Sequence, residues 1–219
     1  MRINRLGGAV ALALFAGAGC AQEPIGCQIG ACGKQAQGYD DGTGHIVNVG
    51  KASPLPIAPP ATIIASASFT TPVGTTAYAS GNLIANAAAA ASVTPLGWTA
   101  CRAAGGTGMV RRLRLKTGDT GFAGATVRVH LHQLAPSFAN GDHGAWLTSE
   151  SNYLGALDVT FDRSFSDAVK GIGTPNAGSE INFDCASGSQ SVYGEIEARG
   201  PITPQGAKAI TAVIEVLAN

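Results

Sequence analysis

Past residue 60 the chain alternates between apolar and polar positions in short runs. "TIIASASF" (62–69) and "TAYASGNLIAN" (76–86) alternate or carry β-branched residues, and "GWTACRAA" (97–104) runs into a Gly-Gly-Thr-Gly break. "MVRRLRLKT" (109–117) stops at Gly118-Asp119, and "ATVRVHLHQL" (125–134) and "YLGALDVTF" (153–161) have the clearest period of two. "EINFDC" (180–185), "SVYGEIEARG" (191–200) and "AKAITAVIEVL" (207–217) complete the set. In the last, Ile210, Ala212, Ile214 and Val216 alternate with Thr211, Val213 and Glu215, and its β-branched neighbours favour a strand over a short helix. Ala87–Ala91 is too short for a stable helix and reads as a connection. Eight or nine short strands in about 160 residues predict a two-layer sandwich or a barrel. The long segment "APSFANGDHGAWLTSESN" (135–152) reads as an ordered cap or a functional loop.

Before residue 61 that pattern is missing. Residues 21–60 show no sustained period and are dense in Gly, Gln and Pro, and "PLPIAPP" favours an extended linker. The division predicted is an arm over residues 1–60 and a folded domain over 61–219. The arm opens with two arginines, an apolar run from Ala9 to Ala16, then Ala16-Gly17-Ala18, which has the order of a secretory signal. Cys20 sits where a lipoprotein anchor would, although Gly17 stands where the lipobox wants leucine. The apolar run is too short to span a bilayer. The competing reading is an uncleaved Ala/Gly-rich arm that docks on a partner.

Composition adds limits. Lys+Arg and Asp+Glu balance at 14 each and only 13% of residues are charged, so no net field draws the whole chain to nucleic acid or an anionic membrane. Glycine, at 30 residues, matches a turn-rich β domain. Three of the five cysteines (Cys20, Cys27, Cys32) lie in the arm without zinc-knuckle spacing. Cys101 and Cys185 read as two buried thiols, a bridge between them being the alternative.

The candidate chemistry starts at "GATVRVHLHQ" (124–133). A glycine, five residues and His-x-His also open the cupin metal motif, but Pro136 and Ser137 occupy the places of its glutamate, and no histidine follows His143. In a strand, Thr126, Arg128, His130 and His132 share one face and Val127, Val129 and Leu131 the other. An arginine beside two histidines disfavours a cation, so no metal or cofactor is predicted and the histidines are assigned to a solvent or partner face. "VRRLRLK" places Arg112, Arg114 and Lys116 on one strand face. If the two strands are neighbours, one sheet face carries both sets and offers a docking surface for an acidic partner. The interface residues expected are Arg112, Arg114, Lys116, Arg128, His130, His132 and Trp146. Basic residues without interleaved aromatics argue against nucleic acid. Glu195 and Glu197 are neighbours on one strand, unlike glycosidase carboxylates facing across a cleft. No nucleophile elbow or phosphate-binding loop occurs, and no catalytic residue is predicted.

"FTTPVGTTAYASGNLIAN", "VTPLGW", "GMVRRLRLKT", "RVHLHQLAPSFANGDHGAWLTSESNYLGALDVTF" and "VYGEIEARGPITPQ" together resemble a group of small structural proteins encoded by tailed bacteriophages, in the same order from about Phe69 to Val216. The resemblance implies a capsid decoration (cement) protein: an all-β, jelly-roll-like antiparallel sandwich with a long irregular N-terminal arm, on the virion surface. The implied partners are the major capsid protein and further copies of the chain, with no nucleic acid, no membrane if the N-terminus stays uncleaved, and no enzyme activity. A tail or receptor-binding protein, and an exported or lipid-anchored bacterial sandwich in the periplasm or envelope, are the alternatives.

Overall fold

The computed structural model describes residues 38–40, 46–48, 60–147, 152–176 and 178–219. The chain divides into two units, Met1–Ile57 and Ala58–Asn219. In the first, β1 (Gly38–Asp40) and β2 (Ile46–Asn48) form an antiparallel ladder, an element that the aperiodic sequence around it did not predict. The signal-like start and Cys20, Cys27 and Cys32 lie outside the described residues.

In the second unit the period of two becomes two sheets. They are built from β3 (Ala61–Thr70), β4 (Leu83–Ile84), β5 (Leu96–Thr99), β6 (Thr107–Thr117), β7 (Thr126–His132) and β8 (Tyr153–Thr160). β9 (Arg163–Ser164), β10 (Val169–Gly173), β11 (Asn182–Asp184), β12 (Ser191–Ala198) and β13 (Ala209–Ala218) follow. One sheet runs β3-β13-β6-β10-β9, with β11 pairing the start of β6; the other runs β4-β12-β7-β8, with β5 also on β12. Their ladders are antiparallel. With β4 and β5 taken as one interrupted strand, the outermost strands of the chain pair first and the inner ones nest within them. β3 lies beside β13, β4/β5 beside β12, β6 beside β10 and β7 beside β8. This nesting is the jelly-roll connectivity.

The inward residues of both sheets form one core, in which Val127, Val129, Leu131, Leu113, Ile214 and Val192 have no exposed surface. Trp98 on β5 crosses between the layers, its indole Nε1 donating to the Ala212 carbonyl of β13 at 3.0 Å. That bond satisfies the polar edge of an otherwise buried ring. The ring lies so close to β12 that a Cβ at Gly194 would stand 2.6 Å from it. The C-terminal segment is a strand, as its alternation predicts.

Several details differ from the sequence expectation. Of residues 76–86 only Leu83 and Ile84 form a strand, because Gly81 turns the chain at φ 87° and the Asn82 side chain accepts from the Ala79 amide at 2.6 Å. β10 was not expected at all. Its Gly171 and Gly173 interrupt the apolar pattern, and the fold needs both, since Cβ atoms there would meet the Thr160 and Asp158 carbonyls of β8 at 2.4 and 2.6 Å. Cys101 and Cys185 are not free thiols. They form a disulfide, their Cα atoms 6.4 Å apart. The pairing of β11 with the start of β6, and the Cys185 amide donating to Gly106 O at 2.8 Å, bring Cys185 back to the end of β5. Finally, β6 and β7 belong to different sheets, so Arg112 and Arg114 do not share a face with Arg128 and the histidines.

Candidate functional site

The expected interface residues separate into two clusters. The first lies on the outer face of the second sheet. Alternation puts Arg128, His130 and His132 of β7 there, beside Tyr193, Glu195 and Glu197 of β12. Each histidine reaches the β12 residue diagonal to its register partner, a contact that long side chains make across an antiparallel pair. His130 Nε2 lies 3.0 Å from Glu197 Oε2, and His132 Nε2 lies 3.4 Å from Glu195 Oε2. Arg199 Nη1 donates to the other Glu197 oxygen at 3.0 Å. Because a carboxylate only accepts, His130 carries its proton on Nε2, and Nδ1 accepts from the Tyr153 hydroxyl at 3.2 Å. Arg128 faces Asp158 of β8 and makes a forked pair at 2.7 and 2.9 Å, which holds that carboxyl below its ordinary range.

The two histidines on this face are buried, contrary to the solvent option of their solvent-or-partner assignment, whereas Arg128 and Asp158 beside them keep part of their side chains exposed. His130 is 3% exposed and His132 has no exposure. Over His130 the cover is Trp146, whose ring stacks on it with centroids 3.6 Å apart and whose Nε1 donates to Glu195 Oε2 at 2.6 Å, while the Tyr153 ring meets His132 edge-on at 5.5 Å. Burial disfavours the imidazolium and lowers the His130 pKa, although hydrogen bonding to Glu197 opposes the shift. Both ring nitrogens of His132 are buried without a hydrogen bond among the described residues, the 3.4 Å contact to Glu195 being poorly aligned.

The loop that carries Trp146 is anchored along its length. Gly141 passes against the chain at residues 87–88, where a Cβ would meet Ala88 O at 2.0 Å. Asp142 accepts from the Tyr78 hydroxyl at 3.0 Å and from the Ala85 amide at 2.8 Å. His143 adopts φ 64° and stacks on Tyr78 with centroids 3.9 Å apart. The Trp146 amide donates to Gly81 O at 2.7 Å. Over residues 135–147 the segment packs as an ordered cap, one of its two expected readings. Among the described residues no group of three or more His, Cys, Asp and Glu side chains is arranged to hold a metal ion.

The second cluster is on the outer face of the first sheet. Arg112, Arg114 and Lys116 project from β6, opposite the buried Leu113 and Leu115. Arg112 is spent on Glu215 of β13 at 2.7 Å. Arg114 lies between Val213 and Ile172, and Lys116 between Thr211 and Lys170. Lys170 is in turn in register with Arg163 of β9. Arg114, Lys116, Lys170 and Arg163 surround a hollow of about 300 Å³.

Sequence reasoning weighed Glu195 and Glu197 only as catalytic carboxylates and missed their pairing with the histidines. Their alternation with Ile196 was the available signal, but only the β7–β12 pairing shows what they face. Lys170 was missed because the glycines of β10 hid its strand pattern, and Arg163 because β9 is only two residues long. No family model matches the chain, and no curated protein matches it.

Proposed function

We propose that the chain is a non-enzymatic capsid decoration protein that binds the outer shell of an assembled phage head and clamps neighbouring subunits of the major capsid protein. The observation that carries this reading is the use made of the polar chemistry around β7 and β12. His130, Glu197 and Arg199 are bonded together, and Trp146 stacks on His130 and donates to Glu195, which holds the 135–147 cap against the sheet. A jelly roll stiffened in this way suits a rigid lattice-binding module, and the resemblance from Phe69 to Val216 supplies the partner. A protein that binds only the assembled lattice stabilises it by linkage, and repeated sites add avidity. Deleting residues 1–60 is then expected to weaken capsid binding strongly while leaving the domain folded. Quantitative mass spectrometry of purified particles tests the reading. Hundreds of copies per head with an intact Met1 or Arg2 start are expected, a few copies would indicate a tail protein, and none would reject a virion role.

A second reading is favoured by the Cys101–Cys185 bond. Disulfides belong mainly to oxidising compartments. Together with the signal-like start, the bond supports an exported or lipid-anchored sandwich. A mature start at Gly19, or a lipid on Cys20, in the cell envelope would establish it over the capsid reading.

A further inference from the structure

Three neighbouring strands of the first sheet place cations in one row. Lys116 on β6 is the direct register partner of Lys170 on β10, and Lys170 is that of Arg163 on β9. Register partners project to the same face with Cβ atoms roughly 4.5–5.5 Å apart, and like charges so placed repel. Arg114 is two residues from Lys116 on the same face, and its Nε is buried without a hydrogen bond among the described residues. Compensation within the domain is slight. Arg163 pairs with Asp162 at 3.0 Å on exposed side chains, and Lys170 sits over the Phe165 ring at 5.0 Å. Asp167 lines the adjoining hollow beside Lys116, without an ion pair to it. Five of the ten lysines and arginines between residues 61 and 219, namely Arg112, Arg114, Lys116, Arg163 and Lys170, share this face, although that span carries eleven Asp and Glu. The charge is therefore segregated rather than abundant. The hollow between the cations is floored in part by Ile172, 42% exposed, and Val213.

We infer that this hollow is the docking site for an acidic polypeptide segment of the partner, whose carboxylates bridge Lys116, Lys170, Arg163 and Arg114 while an apolar side chain rests on Ile172 and Val213. The inference deepens the lattice-binding reading and rests on it for the partner's identity. An apolar strip between cations suits a peptide that presents both carboxylates and side chains; no aromatic residue lines the hollow itself for a nucleic-acid base to stack on, and the Phe165 ring beside it is engaged by Lys170.

The test uses the full chain and a ten-residue oligoglutamate peptide, with calorimetric titration at low and at physiological salt. Saturable binding that weakens with salt is expected. The paired change Lys116→Ser with Lys170→Ser should weaken it by about tenfold or more, whereas Arg112→Ser, already neutralised by Glu215, should change it by less than about twofold. No saturable binding at low salt, an equal loss from Arg112→Ser, or tighter binding of a single-stranded oligonucleotide of equal charge would each overturn the inference. Melting provides a control: Lys116→Ser removes a charge opposite another cation and should leave Tm unchanged or raised. A clear fall would show that Lys116 serves the fold instead. Binding of the same variants to stripped capsids is measured in parallel. Loss of capsid binding in the paired variant supports both readings. Peptide binding without any capsid binding by the parent protein rejects decoration and leaves the acidic-segment site standing.

Discussion

Removing the Cys101–Cys185 bond by the paired change Cys101→Ala with Cys185→Ala should lower stability by an amount set mainly by chain length. The two cysteines are 84 residues apart, and the closed segment contains β6 to β11, six of the eleven strands of the two sheets. Loop-closure entropy for a segment of that size corresponds to about 4–5 kcal/mol at 25 °C, added by constraining the unfolded chain. For a domain of this length, about 2–4 °C of melting temperature accompanies each kcal/mol, so Tm should fall by roughly 8–20 °C. Both cysteines are buried, so the alanines also leave small cavities. Mild reduction of the parent protein removes the bond without the cavities and should reproduce most of the shift. Calorimetry or circular dichroism measures Tm, and non-reducing peptide mapping verifies the bond. A shift below about 3 °C in both preparations would refute the argument, meaning that the unfolded chain is already restricted or that the bond does not form.

Gly194→Ala should destabilise the domain by about 1–3 kcal/mol, read from the urea midpoint, because the new methyl meets the Trp98 ring, which its bond to Ala212 O holds in place. Trp146→Phe removes the donor to the buried Glu195 carboxylate and should cost about 2–3 kcal/mol, with faster proteolysis between residues 135 and 147. Glu195→Gln keeps an acceptor and should lose less; equal losses would show that the charge matters little. The depressed His130 pKa means that the unfolded chain binds its proton first as pH falls. Stability should therefore decline as pH drops from about 6.5 toward the lower folded value and be insensitive to this group above 6.5, and His130→Gln should flatten that part of the profile. The Asp158 contribution, held by Arg128, begins to disappear only at lower pH, below the ordinary carboxylate value, so the two declines start at different points. An unchanged slope between pH 5 and 6.5 in His130→Gln would place the titration elsewhere.

The sequence by itself determined what is local and periodic. Alternation in residues 62–69, 109–117, 125–134, 191–200 and 207–217 specifies strands and which side chains enter the core, because the side-chain period of a strand is two wherever it lies. It also put Arg128, His130 and His132 on one face of their strand and Arg112, Arg114 and Lys116 on one face of theirs. Only the tertiary structure decided what those faces meet. Strand neighbours come from long-range pairing, so β6 and β7 fell in different sheets and the single basic face expected of them became two. The histidine face looked like a solvent face because a polar residue carries no mark of being covered; Trp146, 14 residues beyond His132, covers His130 through a loop fixed by Gly141 and Asp142. β10 stayed hidden for the opposite reason: its glycines, which weaken a strand pattern, are what lets its backbone approach β8. The Cys101–Cys185 bond likewise depends on the return of β11 to the start of β6, a distance that spacing along the chain does not encode.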